Sequence, residues 1–313
     1  MPIHMRVPAV ETSVRAAMNP LLTLMLMVAA ALAGPGGASA APAPVVAAVG
    51  DVACSPSEKQ TASRCRQSAV ADAIAKADPD SVWLLGDLQY ASGSLADFRN
   101  SFDESFGRFR PIWRPVVGNH EYVTPGASGY FDYFGKAAGA RSRGYYSFNI
   151  GKWHVVALNS NCALVPCDAR STQARWLRDD LRKHPRKCTA AMWHHPLYSS
   201  GGEHGSNPIS RPLWKILQSR RAEIVLSGHD HDFEAFRRQD QLGRRAPRAG
   251  MQQFVVGTGG KSAYDFGPPL ANTITRRTDV YGFLKLRLMP KKYSWQFVAD
   301  NGQTLASGAA NCR

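Results

Sequence analysis

Five short apolar segments of this chain each run out at a residue able to bind a metal ion. Residues 45–49 end at Gly50-Asp51, residues 82–85 at Gly86-Asp87 with Tyr90 just beyond, and residues 114–117 at Gly118-Asn119-His120. Residues 189–193 run into His194-His195-Pro196, and residues 224–226 lead to Gly228-His229, with His231 two positions on. Between these segments, residues 63–77, 95–106, 172–184 and 209–220 read as helices. Strands alternating with helices predict one α/β domain with the helices outside. In open α/β sheets, ligands bind off the carboxyl ends of the strands. Five strand ends carrying oxygen and nitrogen donors would therefore converge on one crevice, and the glycines beside them allow close backbone approach.

The rest of the chain supports that frame. Residues 145–150 and 153–159 pair as a hairpin around Gly151-Lys152. Residues 253–256, 281–288 and 293–298 add strands, so pairing should be mixed. Neither a long linker nor an internal repeat interrupts the pattern. Trp83, Trp113, Trp153, Trp176 and Trp193 fall in apolar segments and read as core. Gly257-Thr258-Gly259-Gly260 lacks P-loop spacing and reads as a turn at the rim of the site. The basic stretch 237–248 is expected to be a mobile, solvated surface loop.

Eight histidines follow residue 40, and five of them (His120, His194, His195, His229 and His231) sit at the strand ends. Packing does not explain five histidines so placed beside Asp51, Asp87 and Asn119. His154 and His184 lie elsewhere and read as structural. The apolar fraction of 44% and charged fraction of 20% exclude a disordered, collagen-like or polytopic membrane chain. Lys and Arg exceed Asp and Glu by 38 − 24 = 14, which favours anionic partners without choosing among them.

Arg6 and Arg15 precede an apolar run at 21–33, followed by Ala38-Ser39-Ala40. That layout predicts a secretory signal at 1–40, cut after Ala40, with one domain at 41–313 and a secreted or periplasmic location. The run is about 13 residues, short of the roughly 20 that a membrane span needs, so no span should remain after cleavage. All six cysteines lie beyond the signal and read as disulfides. Short loops suggest Cys54–Cys65 and Cys162–Cys167, which leaves Cys188–Cys312, one of 15 possible pairing schemes.

Taken in order, Asp51-Val52-Ala53, Gly86-Asp87-Leu88-Gln89-Tyr90, Gly118-Asn119-His120-Glu121, His194-His195-Pro196 and Gly228-His229-Asp230-His231 resemble the motifs of the calcineurin-like metallophosphoesterase superfamily. More narrowly, they resemble its purple acid phosphatase branch, with patterns DxG, GDxxY, GNH[DE], HxP and GHxH. The one departure is Ala53, where that branch usually has glycine. Most of the wider superfamily has a ligand histidine there and lacks the tyrosine; here Tyr90 keeps the ligand count. The resemblance implies a metallophosphoesterase-type αββα sandwich of two mixed sheets with outer helices. It also implies two metal ions: Fe3+ held by Asp51, Asp87, Tyr90 and His231, and Zn2+, Fe2+ or Mn2+ held by Asp87, Asn119, His194 and His229. Phenolate and carboxylates suit a hard trivalent ion, and a mixed oxygen and nitrogen set suits a divalent one. The implied activity is hydrolysis of phosphate monoesters by in-line attack of a metal-held hydroxide. His120 and His204 would bind the phosphate or protonate the leaving group. His195 is expected to face away, since strand neighbours point to opposite faces, and Asp230 and Asp232 to be solvated. The partner would be a small phosphate ester. The alternatives are a phosphodiesterase acting on nucleotides or lipid headgroups, and a basic nucleic-acid or polyanion binder with a vestigial metal site. No nucleic-acid recognition motif is present.

Overall fold

Val45–Val49 (β1) is apolar on both faces because it lies inside a sheet and is covered on both sides. In the computed structural model, which describes residues 8–11, 13, 42–186 and 188–313, it pairs in parallel with Ser81–Leu84 (β2). That strand in turn pairs in parallel with Trp113–Pro115 (β3). The register sets Val49 beside Leu84 and Leu84 beside Pro115, so the three carboxyl ends finish level. The hairpin Tyr146–Ile150 (β4) and Trp153–Ala157 (β5) starts a second sheet. Its parallel centre is β5, Cys188–Met192 (β6), Ile224–Ser227 (β7) and, beyond Phe233–Phe236 (β8) in the chain, Gln252–Val256 (β9).

β8 and Thr273–Arg277 (β10) close one side of that sheet, giving the order β10-β8-β9-β7-β6-β5-β4. Gly282–Met289 (β11), Lys292–Ala299 (β12) and Thr304–Asn311 (β13) complete the first sheet in the order β13-β12-β11-β1-β2-β3. Trp83, Trp153, Phe233, Phe254 and Phe297 fill the space between the sheets. Outside the first sheet, Phe98, Phe102, Phe106 and Tyr130 pack beneath short helices. Outside the second, Leu177, Leu181, Leu213 and Leu217 come from the helices Thr172–Lys183 and Arg211–Ser219. The layers are helix, sheet, sheet, helix, as expected.

Several local expectations need correction. The segment 95–106 is helical but not one α-helix: Ser94 caps Leu95–Asp97, the turn widens at Phe98–Phe102, and Asp103–Phe106 continues. The expected helix at 63–77 begins only at Gln67, because Cys65 is tied to Cys54 and Arg64 bridges to Ser262. β8, β10, β13 and the helix Ser128–Phe134 were not anticipated. β13 carries only small or polar side chains apart from Leu305, and its pairing with β12 holds it. The stretch 237–248 is no loose loop. Gln239 bridges to Arg245 and Met251, Asp240 pairs with Arg244, and Arg238 pairs with the buried Glu223. Trp176 is only partly buried, against Tyr145. All three disulfides are those expected. The expected signal at 1–40 lies outside the described residues apart from 8–11 and 13.

Candidate metal centre

Each parallel strand stops just before the residue that carries its chemistry. Asp51, Asp87 and His229 all have positive φ (59°, 48° and 77°). Such backbone disfavours a side chain by about 1–2 kcal/mol, and it swings each one out of line with its strand. Backbone bonds zip the first two loops together: Asp51 donates to Gly86, Val52 to Asp87 and Ala53 to Leu88. Glycine is needed at two contacts. A Cβ at 118 would lie 2.1 Å from Asp87 Oδ1, and one at 228 would lie 2.4 Å from Asp51 Oδ2. Ala53 itself is fully buried and keeps its backbone pairing to Gln89, so the departure from the motif leaves the loop intact.

The donors fall into two groups that meet at one oxygen. In the first, the Tyr90 hydroxyl lies 3.1 Å from Asp51 Oδ1, 3.3 Å from Asp87 Oδ2 and 2.9 Å from His231 Nε2. In the second, His194 Nε2 lies 3.2 Å from Asp87 Oδ2, 3.0 Å from Asn119 Oδ1 and 3.2 Å from His229 Nδ1. The far side of each ring is tied as well: His194 Nδ1 bonds the Leu85 carbonyl at 2.8 Å, and His231 Nδ1 bonds Ser262 Oγ at 3.0 Å. With Nδ1 occupied, Nε2 is turned to the centre, the arrangement in which histidine binds a metal.

All seven expected ligands are thus brought together, and every one but Asn119 and His229 is buried. The electrostatics show what the protein alone does not balance. Burial, then the charges of Asp51 and Asp87, push the Tyr90 hydroxyl well above its ordinary value. Burial opposes ionisation of Asp87, yet the His194 charge and hydrogen bond hold its carboxyl below the usual range. Burial works against a charged His194, but Asp87 outweighs it and raises the ring to about 9. Burial and then the His194 charge push His229 down. Converging carboxylates, a phenol and imidazoles at these spacings fit two cations sharing Asp87: hard oxygens dominate one group, and a mixed set forms the other.

The remaining expected residues line the rim. His120 is half-exposed, bonds the Ala91 carbonyl through Nδ1 and lies 4.4 Å from the Tyr90 ring. His204 stacks on His229 at 4.1 Å. His195 does not face away: its ring packs 4.4 Å from His229 and its Nδ1 lies 2.8 Å from Ser160 Oγ. β6 ends at Met192, so strand alternation no longer governs position 195. Burial and His194 push that ring down to about 3. Asp230 and Asp232 are fully buried rather than solvated. Asp230 accepts from the backbone of His204 and Gly205, which fixes the loop carrying His204. The Asp232 carboxyl has no hydrogen-bond partner among the described residues, and burial followed by Asp230 and Glu234 pushes it well up. The turn at 257–260 abuts Asp51 as expected, with Gly259 donating to the Gly50 carbonyl. His154 and His184 sit apart, both bonded to Asp180.

Sequence reasoning missed three residues. Glu121 is fully buried and accepts backbone N–H groups from Asp87, Leu88, Gln89 and Gly118. Its acidic place just after Asn119-His120 was the available signal. Tyr264 stacks face to face on His231 at 3.9 Å, and Lys261 lies over Tyr90 at 5.1 Å while pairing with Glu58. Nothing local in sequence marks either.

The family model for calcineurin-like phosphoesterase matches residues 45–233. Purple acid phosphatase 21 of Arabidopsis thaliana is 29% identical over 264 residues, covering 75% of this chain and 57% of the relative. Purple acid phosphatase 22 of the same plant is 30% identical over 258 residues, covering 73% and 56%. Thus the chain spans about half the length of these curated relatives. In structure, it resembles the purple acid phosphatase PPD1 from yellow lupin (Lupinus luteus) seeds, with a TM-score of 0.71 at 19% identity over 86% of this chain and 53% of that one.

Proposed function

We propose, for a chain that belongs to the calcineurin-like phosphoesterase family, a two-metal hydrolase acting on small phosphate monoesters. The observation that carries this reading is the shared oxygen Asp87 Oδ2, within 3.3 Å of Tyr90 and 3.2 Å of His194. Asp51, Asp87, Tyr90 and His231 would hold a ferric ion; Asp87, Asn119, His194 and His229 would hold zinc, ferrous iron or manganese. Bound there, the pair would neutralise charge on the phosphoryl group and acidify water.

The protein's own groups do the rest. The fixed rings of His194 and His231 present one nitrogen each without rearrangement. Glu121 holds the Asp87 and Gly118 loops in step. His120 and His204 flank the centre from opposite sides, against Tyr90 and His229 respectively, where an anionic substrate would meet them. An imidazole there can donate a proton to the departing alkoxide. His120 is half-exposed and His204 exposed, so both can meet a small ester arriving from solvent. The three disulfides and the leader-like 1–40 support an exported protein, with 41–313 as its one domain.

The test is metal analysis and a visible spectrum of the purified protein, with turnover of p-nitrophenyl phosphate and bis-p-nitrophenyl phosphate. Two metals per chain, a visible band that Tyr90→Phe abolishes, and faster monoester turnover are expected. Asp87→Asn should lower turnover by at least about 100-fold together with metal content, about the scale of losing a group that stabilises the transition state. Full activity in that variant would overturn the bridging role, and faster diester turnover the substrate class.

A further inference from the structure

The pole of the molecule away from the metal centre carries charge that the proposed reaction does not use. Two adjoining hollows open there, at the amino ends of β6, β7 and β9. One, of about 580 Å³, is lined by His184, Arg186, Arg220, Arg221 and Arg313. The other, of about 380 Å³, is lined by Lys215, Arg221, Arg248 and Arg313. Ser219, Arg221 and Arg313 belong to both, so the two form one trough. Among the described residues no Asp or Glu side chain lines either hollow.

What marks the trough is clustering: exposed arginines such as Arg99, Arg175, Arg211 and Arg287 also lack an ion pair among the described residues, but here five exposed cations share two adjoining hollows. Elsewhere, Arg64, Arg66, Arg108, Arg110, Arg141 and Arg244 each pair with a carboxylate. In the trough, Arg186, Lys215, Arg220, Arg221 and Arg248 are exposed and form no ion pair among the described residues. The floor is built rather than incidental. Cys188–Cys312 pins the C-terminal segment to the start of β6. Arg313 then bonds the buried Glu223, the Ala222 carbonyl and, at 3.3 Å, the Arg248 carbonyl. That network holds three chain segments in one arrangement before any partner arrives.

We infer that this trough docks a linear, flexible polyphosphate-type chain. Guanidinium forks match phosphate oxygens in pairs, and arginine outnumbers lysine here. Among the described residues no Phe, Tyr or Trp lines either hollow, and the one ring there, His184, already stacks on His154 at 4.6 Å and bonds Asp180, so a nucleic acid would find little platform for its bases. A concave trough suits a single thin chain better than a stiff duplex. The metal centre lies off the opposite ends of the same strands, a strand length of roughly 15 Å away. A docked chain therefore leaves the centre open, and the inference stands whether or not the chemistry proposed there is right.

The experiment is binding of end-labelled inorganic polyphosphate to the full protein, followed by anisotropy across a salt series. One variant is Lys215→Glu, Arg221→Glu, Arg248→Glu. A control changes charge equally on the other sheet's side: Lys59→Glu, Lys76→Glu, Lys136→Glu, all exposed. The trough variant should lose at least about tenfold in affinity at low salt, and its log–log salt slope should flatten by about 2, near 0.7 per lost contact. The control should lose less than about threefold, Asp87→Asn should bind as the unaltered protein does, and p-nitrophenyl phosphate turnover should persist in the trough variant. Equal loss in the control would reduce the effect to net charge and overturn the site. Loss in Asp87→Asn alone would place the polymer in the metal centre. Duplex DNA binding as tightly per phosphate would replace the proposed partner with nucleic acid.

Discussion

Replacing Glu121 by glutamine keeps its size and reverses half of its hydrogen-bonding sense. One carboxylate oxygen takes Leu88 and Gln89, and the other takes Asp87 and Gly118. An amide can serve only one of these pairs and turns its own N–H groups on the other. Burial, then the Asp87 charge, raises this carboxyl to about 7. Glu121→Gln should destabilise the protein by about 2–4 kcal/mol, since buried donors lose their acceptor. Metal affinity should fall about 10–100-fold, as expected for a group that orients ligands. Thermal melts and metal titration would check both, and unchanged values would remove Glu121 from the positioning of the centre. At this scale, five of the seven donors were readable because each follows an apolar segment at a glycine or a paired histidine, and Tyr90 and His231 stand within three residues of one of these. Tyr264 and the burial of Asp230 and Asp232 were not. Their surroundings come from the loop at 199–205 and from β8, which only folding brings near.

Among elements, the parallel strands were the most legible, because burial on both faces leaves continuous apolar runs such as 45–49 and 224–226. β13 was hidden because partner strand pairing, not its own composition, makes it a strand. The helix at 95–106 was visible as a helix, but not its widened turn at Phe98–Phe102, where Phe98 stacks on Tyr133 and Phe102 on Phe106. The disulfide Cys188–Cys312 links β6 to the end of β13 across 124 residues. Replacing both cysteines with serine should destabilise by about 2–5 kcal/mol. Because the bridge lies at the pole away from the centre, metal content and p-nitrophenyl phosphate turnover at low temperature should be retained. Loss of metal at temperatures where the variant is still folded would contradict that separation.

For the molecule as a whole, the two sheets face each other with their parallel carboxyl ends at one edge, so loops from both share the centre. His194, from the second sheet, bonds Leu85 of the first, and the His229 backbone donates to Asp51. Cations bound there would therefore clip the sheets together. Chelation should lower the melting temperature, and added zinc and iron should restore it with rising concentration. A site filled at 100 times its dissociation constant contributes about 2.7 kcal/mol, or about 2–4 °C for each kcal/mol in a domain of this class. A melting point indifferent to metal would count against occupancy.

What the amino-acid sequence determined by itself was local: which segments are apolar strands, which donors stand at their ends, and which cysteines can close short loops. Those properties depend on side-chain chemistry and short-range geometry. The tertiary structure alone decided that Glu121 ties the Asp87 and Gly118 loops, that Asp230 and Asp232 are buried beside the centre, and that exposed cations from several segments share one trough at the far pole. Each of these arises where segments distant in the chain approach within a few ångströms, and no short stretch of sequence encodes that proximity.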